Sequence, residues 1–393
     1  MFLDAAVARM KFPLLLCIDT LVKRTAKAKP DPDRVLIVRL DAIGDFILWL
    51  AAAQAIAEHY KARGKTVLLA ANAVWADWAR EQAIFDDVIA IDVREFRRSA
   101  RYRYRAGRSI AALGCVIAVE PTYTRTWLLG DSVVRVSGAR ERIGSVGDGS
   151  NRRMWQMRLA NSWYTQLLAA DPSPCMELER NAEFVRNLGE PGFRARIPRL
   201  KGAKALRPDP NFVAATAGQP YYVLFPGASW NGKRWPVSRF REVAERLYRQ
   251  TGWQGIVCGG SLDDALAAAL CGRSAAPMLN WAARTDLAQF AAVLAGARLV
   301  LSNDTSAAHI ASACGAPTVC VMGGGHDGRF LPYQVEQQAE PFLQRTVVHE
   351  MPCFGCGWQC IYKRAAEDPV PCIERIGVDE VWRAIGELLG FGT

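Results

Sequence analysis

Two series of short apolar runs alternate with helix-like stretches along this chain, and that alternation restricts the fold more than any other feature. The first series holds Val35–Leu40, Val67–Ala71, Val88–Ile91 and Cys115–Val119, with helical stretches such as Phe46–Tyr60 between them. The second holds Tyr221–Phe225, Gly255–Cys258, Leu299–Ser302 and Thr318–Met322. Between these lie the helical stretches Val237–Gln250, Leu262–Cys271, Asp286–Ala295 and Ser306–Cys314. Such alternation predicts parallel sheets with covering helices. A polar segment broken by Pro208 and Pro210 reads as a linker over 200–219. The expected fold is α/β: two Rossmann-like, doubly wound domains facing each other, with strand ends lining an interdomain cleft. The boundaries read as a basic amphipathic extension over 1–32, a first domain over 33–199 and a second over 220–345. A Cys-rich segment over 346–375 and a closing helix over 376–393 complete the chain.

Half of the 393 residues are apolar, enough for a large core without disulfides. The net charge of +10 favours anionic partners. Near the N-terminus, Phe12–Ile18 is apolar and is followed by Lys23, Arg24, Lys27 and Lys29. It is shorter than the roughly 20 apolar residues of a membrane span. Its basic cluster also stands on the wrong side for a signal peptide. Two readings stand: a helix on a membrane surface, or a helix packed on the domain. Arg97–Arg108 holds six arginines interleaved with Tyr102 and Tyr104. It reads as a solvated face or as a patch for an anionic acceptor, with Arg101 and Arg105 as candidates. Nucleic acid ranks below these, because no nucleic-acid module signature accompanies the patch.

Three segments at strand–helix junctions carry candidate chemistry. In FPGASWNGKRWP, Phe225–Pro236, small residues let backbone N–H groups approach an anion. Gly227 and Ser229 supply that turn, while Lys233 and Arg234 supply a point charge and a fork for a diphosphate. In SNDTSAAH, Ser302–His309, the residues Asp304, Thr305, Ser306 and His309 open a helix. Capping explains such residues, and a helix N-terminus also binds phosphate. In RLDAIGDF, Arg39–Phe46, Gly44 allows a tight turn and Asp45 begins a helix. Asp45 is either an N-cap or a general base that takes a proton from an attacking hydroxyl. Asp41 is its rival. Arg39, Asp41 and Gly44 are also candidates for holding the acceptor.

Cys353, Cys356, Cys360 and Cys372 cluster near the C-terminus. Four thiols at this spacing suit a structural zinc or iron. Free thiols or disulfides are the alternatives.

Together, RVLIVRLDAIGDFIL from Arg34, SGARERIG at Ser137–Gly144, FPGASWNGKRWP and LVLSNDTSAAHIASACGAPTV at Leu299–Val319 resemble glycosyltransferase family 9, the ADP-heptose:lipopolysaccharide heptosyltransferases. The resemblance covers about Arg34–Tyr333. It implies a GT-B fold, an inverting mechanism with no cofactor required, and a donor held mainly by the C-terminal domain. It implies transfer of a heptose or related sugar from ADP-heptose or another nucleotide-diphosphate sugar. The implied acceptor is a lipopolysaccharide core or surface glycan, an anionic glycolipid. The expected location is cytoplasmic, with peripheral association on the inner membrane as one reading. Asp45 resembles the family's general base and Lys233 its lysine on the donor phosphates. Asp304, Thr305 and His309 match its donor-site motif. The chain departs from the family at Asp41, at Ser306 and at Gly323-Gly-Gly-His326-Asp327. A four-cysteine iron finger occurs in related protein heptosyltransferases, so a protein acceptor is one alternative. A non-catalytic nucleotide-sugar-binding relative is another.

Overall fold

The computed structural model describes residues 2–26, 28–203, 206–335 and 343–391, with side chains from Phe12 onward. Lys27 lies outside the described residues. The chain divides into two compact units. One is Met1–Pro174 with Leu178–Ala195, and the other is Cys175–Glu177 with Arg196–Thr393.

The first unit is built on β1 (Asp31–Arg39), β2 (Thr66–Asn72), β3 (Asp87–Ile91), β4 (Cys115–Glu120), β5 (Glu141–Ser145) and β6 (Gln166–Leu168). The second is built on β7 (Tyr221–Phe225), β8 (Gln254–Val257), β9 (Met278–Asn280), β10 (Val300–Asn303), β11 (Thr318–Val321) and β12 (Gln344–Val347). The sheet orders are β3-β2-β1-β4-β5-β6 and β12-β11-β10-β7-β8-β9. Every pairing is parallel. Counted within its own unit, each sheet has the same doubly wound order. Its first strand lies between its second and its fourth. The order therefore reverses between β1 and β4, and again between β7 and β10. Ligands of such sheets sit outside the strand ends at that reversal.

Central strands are apolar on both faces because helices cover both. Val35, Leu36, Ile37 and Val38 of β1 are all fully buried. The helices used below are α1 (Phe2–Thr25), α2 (Ile43–Lys61), α3 (Ala100–Ala112), α4 (Gly130–Val136), α5 (Val237–Thr251), α6 (Ser306–Cys314) and α7 (Val378–Leu389). Helix α5 buries Phe240, Val243, Ala244 and Leu247, spaced for one helical stripe. It stops where Gly252 takes φ +69°, a conformation glycine adopts without strain.

The described part of α1 packs on the first unit. Leu15, Asp19 and Val22 face inward, while Leu14 and Leu21 are exposed. Val22 packs so closely on α3 that a Cβ at Gly107 would lie 3.2 Å from its Cγ2. Asp19 is 2.7 Å from Arg103 of α3, and both side chains are shielded from solvent. Ser132 of α4 donates to the same carboxylate at 2.8 Å. The arginine-rich stretch is therefore not one patch. Arg101 and Arg105 are exposed, but Arg103 points inward over the Phe96 ring. Tyr102 packs against the core, and its hydroxyl accepts a hydrogen bond from the Asp92 N–H. Replacing Arg103 by leucine is expected to destabilise the unit by ~3–5 kcal/mol, because the Asp19 carboxylate stays buried without its counter-charge. Denaturant midpoints read this directly, and changing Asp19 to leucine as well should recover part of the loss.

The polar stretch 200–219 is more structured than a linker reading implies. Pro210–Thr216 is helical, and Phe212 is buried edge-on to Tyr221 and Trp281, each 5.2 Å away. No helix among the described residues is long and apolar enough to cross a membrane.

Candidate functional site

In the second unit, the loops after β7 and β10 meet at the point where strand order reverses. Their register is set by Ser302 beside Phe225 in the sheet. Asn303, fully buried at the end of β10, joins the loops. Its amide donates to the carbonyls of Pro226 (2.8 Å) and Gly227 (3.3 Å). Its oxygen accepts from the Trp235 N–H at 3.0 Å. One side chain thus satisfies three backbone groups on either side of the cradle.

The charged residues are paired. Lys233 Nζ lies 2.9 Å from Asp304 Oδ2 and 4.5 Å from the centre of the Trp358 ring. Arg234 lies 3.7 Å from Asp263. A Cβ on Gly227 would overlap the Asp263 carboxyl group, which is why the turn needs glycine there. Each cation thus has a carboxylate beside it, so the cradle is closer to neutral than its lysine and arginine suggest. An arriving diphosphate would compete with Asp304 and Asp263 for them. Ser229 is exposed on the same loop. Thr305 caps α6, its hydroxyl accepting from the Ala307 N–H at 3.3 Å, and Ser306 is the first helical residue.

His309 points inward. It is buried, and its Nδ1 lies 2.6 Å from the Tyr333 hydroxyl. One turn into α6 the side chain meets Tyr333, within electrostatic reach of Asp304 and Lys233. Burial is the main cause that pushes its pKa down to about 4, with Asp304 opposing and Lys233 adding to the shift. The sign follows from proton uptake. Folded His309 stays neutral, while in the unfolded chain histidine gains a proton near its ordinary 6.5. Stability attributable to it therefore falls as pH drops from 6.5 towards 4. Between pH 7 and 4.5 the loss is expected to be ~2–3 kcal/mol. Urea midpoints at the two pH values, in wild type and in His309→Gln, should differ in that drop.

In the first unit, the loop after β1 is held by the Asn72 amide and the Trp75 indole, both donating to the Asp41 carbonyl at 3.0 and 2.9 Å. Phe46 stacks on Trp75 at 4.3 Å. The tight turn expected at Gly44 is not formed there, and Ala42 before the helix is extended. Helix α2 starts at Ile43, so Gly44 lies within its first turn. Asp45 sits in that turn, half-buried, and the N-cap is Ala42. Helical N–H groups there favour a negative charge. Arg39, expected to meet an acceptor, is buried instead. It is 2.7 Å from Asp41, 3.3 Å from the Asn181 side-chain oxygen and 5.4 Å from the Trp49 ring centre. The pairing holds the Asp41 carboxylate back against β1.

Sequence reasoning missed a buried acid–base group after β4. The Tyr164 hydroxyl bonds to Glu120 and lies 2.7 Å from Asp131, which pairs with Arg125 at 2.8 Å. Burial first, then Asp131, pushes the Glu120 pKa well above its usual range. It also missed Asn303, Asp263 and Trp358. A polar asparagine at the end of an apolar strand was the one available signal, since such a residue must find buried partners.

The four clustered cysteines line one cavity together with Met351 and Trp358. Burial first, then neighbouring Cys353 and Cys356 among the causes, pushes the Cys372 thiol up. All eleven cysteines are free thiols, so the disulfide alternative falls away. No three His, Cys, Asp or Glu side chains among the described residues are grouped closely enough to hold a metal. The donor chemistry suits zinc or iron, but the thiols are gathered around the cavity without forming a ligand set.

Residues 176–354 match glycosyltransferase family 9 (heptosyltransferase). The chain is 35% identical over 160 residues to lipopolysaccharide heptosyltransferase 1 of Pseudomonas aeruginosa, covering 39% of this chain and 41% of that protein. It thus spans about two fifths of that relative's length. The structure of E. coli ADP-heptose lps heptosyltransferase II superposes with a TM-score of 0.61 at 16% identity, covering 91% of this chain and 98% of the other. Iron-containing dodecameric glycosyltransferase TibC of enterotoxigenic E. coli superposes with a TM-score of 0.52 at 13% identity, covering 92% and 77%. At such identities the likeness is one of fold, the GT-B architecture of two Rossmann-like sheets.

Proposed function

We propose that this chain, whose residues 176–354 match glycosyltransferase family 9, is an inverting glycosyltransferase moving a heptose or related sugar from an ADP-sugar or another nucleotide-diphosphate sugar. The acceptor in this reading is a lipopolysaccharide-core or surface glycan. The observation that carries the reading is the joining of two strand-end loops by Asn303 at the reversal of the second sheet, with Lys233 held on one loop and Asp304 on the other.

In the proposed reaction Asp45 takes the proton of an acceptor hydroxyl as its oxygen attacks the anomeric carbon. The bond from that carbon to the diphosphate oxygen breaks, and ADP leaves with the electron pair. Lys233, Arg234 and the start of α6 stabilise the charge that develops on the leaving group. Exposed Arg101 and Arg105 attract the anionic acceptor. Ser229, Thr305 and Ser306 add hydroxyls around the phosphates. The reading includes peripheral work on the cytoplasmic face of the inner membrane, supported by the +10 charge and by exposed Leu14, Leu21 and Trp155.

The test is nucleotide release. The chain is incubated with ADP-heptose and other nucleotide sugars, each with a deacylated lipopolysaccharide-core acceptor. Release of ADP that depends on the acceptor supports the proposal. No release and no nucleotide binding with any pair would sink it.

A protein acceptor with a structural metal at the cysteines is the second reading. It is favoured by the four thiols around one cavity and by the fold shared with iron-containing TibC. Cys353, Cys356, Cys360 and Cys372 would have to close around the cavity they line to hold the ion, which would then brace the segment without taking part in transfer. Elemental analysis of the purified chain decides it: less than a tenth of an equivalent of zinc or iron removes this reading.

A further inference from the structure

The cysteine segment reaches the candidate donor site through one side chain. Trp358 stands between Cys356 and Cys360 with φ +66°, a left-handed conformation that tryptophan adopts only where its surroundings hold it. Its indole N–H donates to His326 Nδ1 at 3.2 Å. Its ring meets the edge of Trp230 at 6.0 Å, and Lys233 Nζ lies 4.5 Å from its centre. The segment is stitched to the loop after β11 by backbone bonds, Gly355 N–H to Gly324 O at 2.7 Å and Gly357 N–H to Gly325 O at 2.9 Å.

The glycine run at 323–325 makes this approach possible. A Cβ on Gly325 would overlap the Trp358 ring, and one on Gly324 would overlap Phe354. The run that departs from the family pattern is thus the seat on which this segment rests.

Lys233 is held from two sides, by the Asp304 carboxylate and by the indole face. A lysine ammonium on a flexible stem otherwise spends much of its binding energy on being ordered. We propose that Trp358 is a positioning residue of the donor site: it holds the Lys233 ammonium ready for the donor diphosphate, so the four-cysteine segment is part of that site. The inference rests on the donor reading above. When phosphate arrives, the ammonium leaves or shares Asp304 and keeps its place over the ring.

The test uses the full chain and ADP as the probe, with affinities from calorimetry and folding checked by melting temperature. Trp358→Leu removes the aromatic face and should weaken ADP roughly 3- to 30-fold. Trp358→Phe keeps an aromatic face, though a smaller and weaker one, loses the bond to His326, and should stay within about threefold. In a Lys233→Ala background, Trp358→Leu should cost nothing further, because the two act through one ammonium. Equal losses in the Leu and Phe variants, or an undiminished loss in the Lys233→Ala background, overturn the inference. If Lys233→Ala itself leaves ADP affinity unchanged, the donor reading fails instead. Should Trp358→Leu not fold, wild type and Trp358→Phe still decide. Their ADP-induced changes in tryptophan emission should differ, and identical changes overturn the inference.

Discussion

Replacing Asp45 by asparagine is expected to cut kcat about 10²- to 10⁴-fold while ADP affinity stays within about twofold. Asparagine keeps the size of the side chain and its ability to accept a hydrogen bond, but it cannot take a proton. The hydroxyl must then attack without a base. Helix α2 leaves Asp45 partly accessible in its first turn, where N–H groups favour a carboxylate. Asp41 is the control. Its carboxylate faces the buried Arg39 guanidinium at 2.7 Å, an ion pair that draws it back towards β1. Asp41→Asn should reduce kcat less than Asp45→Asn, and mainly by loosening Arg39. Single-turnover kinetics separate the two variants. If Asp41→Asn proved the more damaging and Asp45→Asn left kcat intact, the assignment would pass to Asp41.

Lys233→Ala is expected to weaken ADP by roughly 10- to 150-fold. Loss of a hydrogen bond to a charged group costs ~1.5–3 kcal/mol. The loss has a second source. Asp304 is paired with Lys233 at 2.9 Å, and its side chain is only 9% exposed. Without the lysine, its carboxylate remains beside the phosphate site and repels the ligand. Changing Asp304 to asparagine as well should therefore return part of the affinity, which a purely attractive account of Lys233 does not predict. Calorimetry on the two single variants and the double variant reads that coupling. Additive losses would show that Lys233 and Asp304 act independently.

Much of the fold was legible because its central strands are buried on both faces. Short apolar runs such as Val35-Leu-Ile-Val and Val300-Leu-Ser suit strands buried on both faces, and both lie in strands. The overlooked strands lie towards the sheet margins. β6 and β9 have three residues each, and β5 and β12 mix charged or polar residues with apolar ones. Short edge strands bury too little to leave a pattern.

The candidate site was legible by segment more than by residue. Small and cationic residues at Phe225–Pro236, and hydroxyls at Ser302–Ser306, follow directly from where β7 and β10 end. The directions of individual side chains do not. Arg39 and Arg103 have the composition of anion binders, but each lies over an aromatic ring beside a buried carboxyl or amide group. His309 stands in the motif, but helical phase turns it towards Tyr333.

By itself the sequence determined the repeated strand–helix order, and with it the junctions where chemistry can sit. These follow from local periodicity and from residue types that a short stretch of chain specifies. Only the tertiary structure decided that Asn303 binds both loops, that Asp304 and Asp263 offset Lys233 and Arg234, and that Trp358 returns over Lys233. Each of these joins residues about 30 to 125 positions apart, and no local pattern encodes a partner at such a distance. It arises only when the sheet has brought the strand ends together.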